Sequence, residues 1–131
     1  MALTAQYAST PRLAAATLSA AAAGGRTSAI GIAGTLVFTA GTNGSRVDDI
    51  TIQATVTTTA GAIRLFVCNG VTTCWLYKEV PISANTVSAT NGGINITLSN
   101  LALLLPNGYT IRATSETTDA INVIVTRAGD F

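Results

Sequence analysis

Apolar and polar residues alternate along much of the chain after residue 25. Over residues 50–56 every even position is apolar and every odd position is polar, and residues 94–98 repeat the alternation. A period of two is typical of a strand with one face in a core and the other facing solvent or a partner. This pattern and its variants predict seven strands, at residues 29–40, 49–57, 62–68, 74–82, 94–98, 109–114 and 121–126.

Turn residues separate these segments. The dipeptide Asn-Gly occurs at residues 43–44, 69–70, 91–92 and 107–108. Both residues readily adopt the positive φ angles of tight turns, so we interpret each dipeptide as a hairpin or a turn. Seven or eight short strands at this spacing, without a convincing long helix, predict an all-β fold. The expected architecture is an antiparallel β-sandwich, jelly-roll-like, whose strand order the sequence does not give.

The first 25 residues differ from the rest, because they contain an Ala-rich stretch that ends at Gly24-Gly25. A signal peptide is disfavoured because alanine makes a weak apolar segment and Met1 is present. A helix would have high propensity but few large apolar side chains to bury. The remaining interpretation is an extended arm or edge strand that lies against the body or a neighbouring subunit. We favour the arm, which predicts an N-terminal arm over 1–25 and one β-sandwich domain over 26–131.

Charged residues make up only 10% of the chain, against about 25% in an average soluble domain. Hydrophobic residues reach 48%, yet no apolar run approaches the roughly 20 residues that cross a bilayer. We therefore expect no membrane insertion, and a surface that neighbouring subunits partly cover. The alternative is a Thr-decorated secreted β-domain.

Seven basic and six acidic residues give a net charge of +1, and the basic residues are scattered. This distribution predicts no nucleic-acid binding. The chain has no histidine, which removes the commonest general base and most zinc and haem sites. We expect no enzymatic activity, no cofactor and no metal.

Two cysteines, Cys68 and Cys74, flank five residues between two predicted strands. If the loop is centred on Val71 they face each other and could form a disulfide, whereas a two-residue loop at 69–70 would point them to opposite faces. Free thiols and a disulfide both stay open on the spacing alone. A zinc site would need two more Cys or His ligands, which the chain lacks.

The acidic residues suggest little chemistry. Asp48 and Asp49 stand beside oxygen-bearing residues that could hold a cation such as calcium, but adjacent strand residues point to opposite faces. We interpret them as a solvated strand entry, with Asp48 paired to Arg46. Glu116 and Asp119 would need a long-range partner to act as a glycosidase pair, so we interpret them as turn residues.

Trp75 and Tyr77 are two positions apart, which places both aromatic rings on one face of a strand. Such a pair can be buried in the core, anchor an interface or stack on a sugar ring. The three interpretations stay open at this point.

Several segments together resemble a known group of proteins. They are Thr10-Pro11-Arg12-Leu13 and residues 43–47, 61–67, 80–82, 107–109, 122–124 and 129–131. In these segments the chain resembles small proteins encoded among the structural genes of tailed bacteriophages and prophages. The resemblance implies a capsid cement or decoration protein that sits on the outer surface of the head, commonly as a homotrimer. It also implies a major capsid protein as partner and assembly in the reducing host cytoplasm, which favours free thiols.

Under this hypothesis the protein stabilises the assembled shell by mass action. The N-terminal arm would reach over the shell or a neighbouring subunit, so deleting residues 2–12 should abolish binding and leave the β-type circular dichroism intact. The residues expected at interfaces are Tyr7, Pro11, Arg12, Leu13, Trp75, Tyr77 and Phe131. The alternative function is a carbohydrate-binding or tail or neck module of a phage particle.

Overall fold

The computed structural model describes residues 8–22, 25–70 and 72–131. Within these ranges the chain forms nine strands and one short helix. In chain order they are β1 (Thr10–Leu18), α1 (Ser28–Ile32), β2 (Thr35–Thr39), β3 (Ser45–Ala54), β4 (Gly61–Cys68), β5 (Cys74–Ile82), β6 (Asn95–Leu98), β7 (Leu103–Leu105), β8 (Thr110–Ser115) and β9 (Ile121–Asp130).

The strands form two antiparallel sheets that pack against each other. The first sheet has the order β1-β9-β3-β6, and β7 also pairs with β3. The second sheet has the order β2-β8-β4-β5. The predicted antiparallel β-sandwich is therefore confirmed. The strand predicted at 74–82 has the bounds of β5, and that at 62–68 falls one residue short of β4.

One predicted strand is partly wrong. Residues 29–40 were expected to be extended, but their first part forms α1 and only β2 is a strand. Thr27 caps the helix, since its hydroxyl accepts a hydrogen bond from the backbone N–H of Ile30 at 3.4 Å. The helix rests on the second sheet, where Ile32 packs against Phe66, Cys68 and Cys74. β7, a run of three leucines without alternation, was not predicted from the sequence.

The Asn-Gly dipeptides do not all close hairpins. Residues 69–70 lie in the hairpin between β4 and β5, as expected. Residues 43–44 and 107–108 lie in turns that carry the chain from one sheet to the other. Gly44 and Gly108 have φ angles of 87° and 79° there, a region that glycine enters without steric cost.

The segment expected as an N-terminal arm contains an edge strand of the sandwich itself. β1 pairs with β9 from Thr10 opposite Asp130 to Leu18 opposite Ile121. The alternative interpretation, an edge strand against the body, describes residues 10–18. An extended arm is not confirmed, and residues 1–7 lie outside the described residues.

The main core fills the space between the two sheets. Its members are apolar side chains that the strands direct inward at alternate positions. The largest of those that are fully buried include Phe38, Ile50, Ile52, Ile63, Leu65, Ile111 and Val123.

A second, smaller cluster lies on the outer face of the second sheet, beneath α1. It consists of Phe66, Cys68 and Cys74, with Ile32 of the helix packed against it. Gly31 allows this close packing, because a Cβ there would lie 2.7 Å from both the Cys74 Cβ and the Phe66 ring. Residues of α1 therefore cover a small apolar cluster that is separate from the main core between the sheets.

Cys68 and Cys74 form a disulfide inside this cluster. They are directly opposite in the β4–β5 register, with 4.0 Å between their Cα atoms. The expectation of free thiols is therefore wrong. The five-residue loop between them puts both sulfur atoms on the outer face of the sheet, as one of the two registers predicted.

Candidate interaction surfaces

All charged residues of the chain lie in the described ranges, and nearly all of them contact another group of the same chain. Five of the six arginines form ion pairs. The sixth, Arg112, donates to the carbonyl of Gly34 at 2.9 Å. The Lys78 ammonium lies 5.3 Å from the centroid of the Tyr77 ring. Most charged side chains therefore have a partner within the molecule.

One ionic network closes an end of the sandwich. Arg12 Nη1 donates to both carboxylate oxygens of Asp130 at 2.9 Å, and Arg12 Nη2 donates to the carbonyl of Thr39 at 3.0 Å. The Ser45 hydroxyl also donates to Asp130 and accepts from the N–H of Gly41. These hydrogen bonds, that of Ser45 first, hold the pKa of Asp130 below its usual value.

Arg12 therefore has a structural role besides its expected place at an interface. Its guanidinium also stacks over the Phe38 ring, 4.7 Å from the centroid. Deleting residues 2–12 would remove this link between the sheets as well as any arm. Loss of binding after that deletion would thus not identify an arm.

A second network lies on the outer face of the second sheet. The Arg64 side chain is only 5% exposed; its Nε donates to Glu79 at 2.9 Å and its Nη1 donates to Glu116. Arg26 donates to the same Glu79 oxygen. The hydrogen bonds from Arg64 and Arg26 lower the pKa of Glu79. Both carboxylates are thus engaged by arginine, which leaves them poorly placed for acid–base chemistry.

The remaining carboxylates are also bound. Asp48 accepts from Arg46 Nε at 2.9 Å, as predicted from the sequence. Asp119 accepts from the backbone N–H of Thr59 at 2.8 Å and from two hydroxyls, and these bonds lower its pKa. In the part of the chain that the structure describes, no three His, Cys, Asp or Glu residues gather as metal ligands.

Large apolar side chains remain exposed at one edge of the sandwich, which β1 and β2 form together and which we call the β1–β2 edge. Leu13 on β1 is 73% exposed and Leu36 on β2 is 46% exposed. Pro11 is also exposed, whereas Arg12 is half-buried. Leu36 was missed from the sequence because it stands inside a predicted strand with nothing to distinguish it from a core residue.

The opposite edge of the second sheet is β5, which we call the β5 edge. Trp75 is 51% exposed and Leu76 beside it is also exposed. Tyr77 is half-buried against the main core, and burial raises the pKa of its hydroxyl. Of the two aromatic residues singled out by spacing, only Trp75 thus offers a ring face to a partner.

A shallow apolar concavity lies at the end of the molecule where the chain terminates. Its walls include Gly44, Leu104, Pro106 and Phe131, and Leu104 is 62% exposed. Phe131 is half-buried, and its N–H donates to the carbonyl of Gly44 at 3.1 Å.

The outer face of the first sheet is polar but uncharged at its centre. Thr51 of β3 and Thr97 of β6 are opposite each other, with their hydroxyls 3.2 Å apart. In the next row, Asn95 donates to Gln53 at 2.6 Å and Thr17 donates to Asn122 at 2.7 Å.

The structure divides the residues that the sequence placed at interfaces. Pro11, Leu13 and Phe131 lie on or beside β1 and β9 of the first sheet. Trp75 and Tyr77 lie on β5, the edge strand of the second sheet that is farthest from β2. The two groups do not form one surface. Tyr7 lies outside the described residues.

Comparisons with protein-family models, curated proteins and solved structures gave no match to this chain. Among the described residues, no helix is long and apolar enough to span a membrane.

Proposed function

We propose that this protein is a non-enzymatic structural component of a tailed-bacteriophage particle, a cement or decoration protein that binds the outer surface of the head. The observation that carries this proposal is the distribution of charge and apolar surface. Most charged side chains are ion-paired within the chain, while Leu13, Leu36, Trp75 and Leu104 stay exposed. This distribution suits a subunit whose surface other subunits cover.

The proposed partner is the major capsid protein, bound at full occupancy on the assembled shell. A protein that binds the shell and not its free subunits stabilises the shell by an amount set by its concentration and dissociation constant. A homotrimer on the outer surface would contact several neighbouring capsid subunits at once. The disulfide suits a particle outside the cell, since disulfides persist in oxidising surroundings.

Two structural features support the proposal. The strand order β1-β9-β3-β6 opposite β2-β8-β4-β5 is consistent with the jelly-roll-like connectivity expected from the sequence. The uncharged centre of the outer face of the first sheet, at Thr51 and Thr97, is the surface that we propose faces the shell. Contact through hydroxyl and amide groups would depend little on ionic strength.

The direct test uses heads from a phage whose copy of this gene has been deleted. Purified protein is added to these heads, and its cosedimentation and the temperature of DNA release are measured. The proposal predicts saturable binding with a fixed number of copies per head and a higher release temperature. Absence of cosedimentation at any concentration would contradict it.

A matched pair of variants tests the proposed shell-facing surface. Thr51→Lys places a charge at the uncharged centre of this face, and we expect at least tenfold weaker binding to heads. Val56→Lys places the same charge at an exposed apolar loop position and should bind as the wild type does. Equal binding by both variants would reject this face while leaving head binding itself intact.

The exposed Trp75 favours carbohydrate binding as a second candidate function, because an exposed indole is a stacking surface for sugars. A glycan array with wild type and Trp75→Ala separates the two functions. Glycan binding that the substitution abolishes, with no binding to heads, would favour the second candidate.

A further inference from the structure

We propose that Asn107 is a site of spontaneous chemical modification, at which the side-chain amide is converted to a carboxylate through a cyclic imide. In this reaction the backbone nitrogen of the next residue attacks the asparagine Cγ. Glycine in that next position favours the attack, because it has no side chain to block the approach. Of the eight asparagines in the chain, those at 43, 69, 91 and 107 precede glycine, and the others precede threonine, isoleucine, leucine or valine.

Hydrogen bonds decide which of the four Asn-Gly sites can react in the folded chain. The attack needs a glycine N–H that no carbonyl holds and an asparagine side chain that is free to rotate. A hydrogen bond to either group has to break first. Each such bond should slow the attack by about fivefold, the factor that corresponds to the net energy of a typical hydrogen bond.

The first site, Asn43-Gly44, is blocked at the attacking nitrogen. Gly44 is buried, and its N–H donates to the carbonyl of Gly41 at 2.9 Å. The carbonyl of Gly44 also accepts from the N–H of Phe131 at 3.1 Å. Both ends of this glycine are therefore fixed, and its nitrogen is unavailable without local opening of the turn.

The second site, Asn69-Gly70, is blocked at the side chain. Asn69 Oδ1 accepts from the hydroxyl of Thr72 at 3.0 Å and from the N–H of Thr73 at 2.9 Å. The Cys68–Cys74 disulfide closes the same loop. Rotation of the Asn69 side chain toward Gly70 has to break two hydrogen bonds.

The third site, Asn91-Gly92, is exposed but is also held by hydrogen bonds. Asn91 Nδ2 donates to the carbonyl of Thr86. The carbonyl of Gly92 accepts from Asn85 Nδ2 at 3.0 Å. The side chain of Asn91 and the backbone of the next residue are thus both tied to the preceding loop, although the space around Gly92 is open.

The fourth site, Asn107-Gly108, lacks these restraints. Both residues are exposed, and neither the Asn107 side chain nor the Gly108 N–H forms a hydrogen bond to another described residue. The Tyr109 N–H donates to the Pro106 carbonyl at 3.1 Å and closes a turn, in which Gly108 has a φ of 79°, as in a type II turn. A Cβ on Gly108 would meet nothing within 4 Å, so a ring and a water molecule have room there.

The reaction balances without an oxidant or an enzyme. The Gly108 nitrogen forms a bond to Asn107 Cγ and gives up its proton, and Nδ2 leaves as ammonia. The product is a five-membered imide. Water then opens the ring at either carbonyl and leaves aspartate or isoaspartate, so that one water molecule is consumed for each ammonia released.

The modification changes both the charge and the backbone of a turn that joins the two sheets. This turn leads from β7 in the first sheet to β8 in the second. The new carboxylate lowers the net charge of the chain from +1 to zero. Isoaspartate also adds one carbon to the main chain, so molecules that contain it should unfold at a lower temperature. The extent of modification records the age of the molecule, whatever the protein's function.

The test follows all four sites in one sample. Folded protein is kept in mildly alkaline buffer below its unfolding temperature, and a parallel sample is kept in concentrated urea. Samples are digested with trypsin at intervals, and mass spectrometry measures the carboxylate at each site. Trypsin leaves Asn91 and Asn107 together in the peptide 79–112, so fragment spectra assign the product to one of them.

In the folded protein the product at Asn107 should form at least about fivefold faster than at any other site. In urea the four sites should react at comparable rates, because each has the same Asn-Gly pair. Asn107→Gln keeps the amide but requires a six-membered ring, so it should remove this product and leave the other three sites unchanged. Asn43→Gln is the matched control and should leave the reaction at Asn107 as it is.

Two results would overturn the proposal. One is a folded protein in which residue 43, 69 or 91 reacts as fast as Asn107 or faster. The other is a folded protein without product at Asn107 over a period in which the sample in urea reacts.

Discussion

Leucine occupies opposite environments in two regions of this molecule. Leu65, in the main core between the sheets, has no exposed surface, whereas Leu13, on the β1–β2 edge, is 73% exposed. The alternation of β4 directs Leu65 into the space between the sheets, away from water. Leu13 points out of the sandwich and stays in contact with water. The difference separates residues that specify the fold from residues that the fold leaves for a partner.

The largest expected effect comes from making the same substitution in both regions. Leu65→Ala removes methyl groups from a fully buried site and should lower the free energy of unfolding by roughly 2–5 kcal/mol. Leu13→Ala should change it by less than about 0.5 kcal/mol, since the side chain is exposed. Urea denaturation of the two variants measures both values. Similar losses would contradict the division between core and edge.

The disulfide should contribute less than the main core. Closing a loop between residues six apart stabilises the folded chain by about 2 kcal/mol in the chain-entropy model. The double variant Cys68→Ala, Cys74→Ala should lose about that amount in urea denaturation. An unchanged midpoint would show that the outer cluster does not need the covalent link.

The packing of α1 on the outer cluster can be tested at one glycine. Gly31→Ala places a methyl group 2.7 Å from the Cys74 Cβ and the Phe66 ring, and overpacking of this kind costs roughly 1–3 kcal/mol. The control is Gly92→Ala, where a Cβ meets nothing within 4 Å. Thermal unfolding should show a lower midpoint for the first variant and little change for the second. A stable Gly31→Ala variant would mean that the helix is not closely packed there.

The smallest expected effect is the pH dependence of the Arg12–Asp130 network. Because the pKa of Asp130 is lower in the folded than in the unfolded chain, the unfolded chain binds more protons in acid. The stability from this group is therefore present above pH of about 4 and is lost as the pH falls through the depressed pKa. Asp130→Asn should unfold more easily than the wild type at pH 7.

The difference between the Asp130→Asn variant and the wild type should shrink toward low pH. Urea midpoints measured from pH 7 to pH 2 check this trend. A constant difference across the range would indicate that the ionisation of Asp130 contributes nothing.

The sequence predicts the sandwich because alternation and turn residues are local signals. β5 and the alternation around Ile52 depend on neighbours in the chain, and both were predicted. The strand predicted over residues 29–32 was wrong because packing against Phe66, a contact distant in sequence, decides between helix and strand. Whether Cys68 and Cys74 are bonded was left open, because the bond depends on the register of β4 against β5. The sequence of either strand alone does not determine that register.

The candidate surfaces were only partly predictable. Pro11, Leu13 and Trp75 were expected at interfaces, and the structure shows them exposed. Their separation onto opposite edges could not be predicted, because strand order arises from pairings between distant segments. Leu36 and Leu104 carried no local signal that distinguishes an exposed leucine from a buried one.

The central claim is that other subunits, copies of this chain in a homotrimer among them, cover the exposed apolar side chains Leu13, Leu36 and Trp75. The most direct measurement is the mass of the purified wild-type protein in solution, by light scattering after size-exclusion chromatography over a range of concentrations. The account predicts a particle of three chains of 13.3 kDa, about 40 kDa. A mass of 13.3 kDa at every concentration would contradict it.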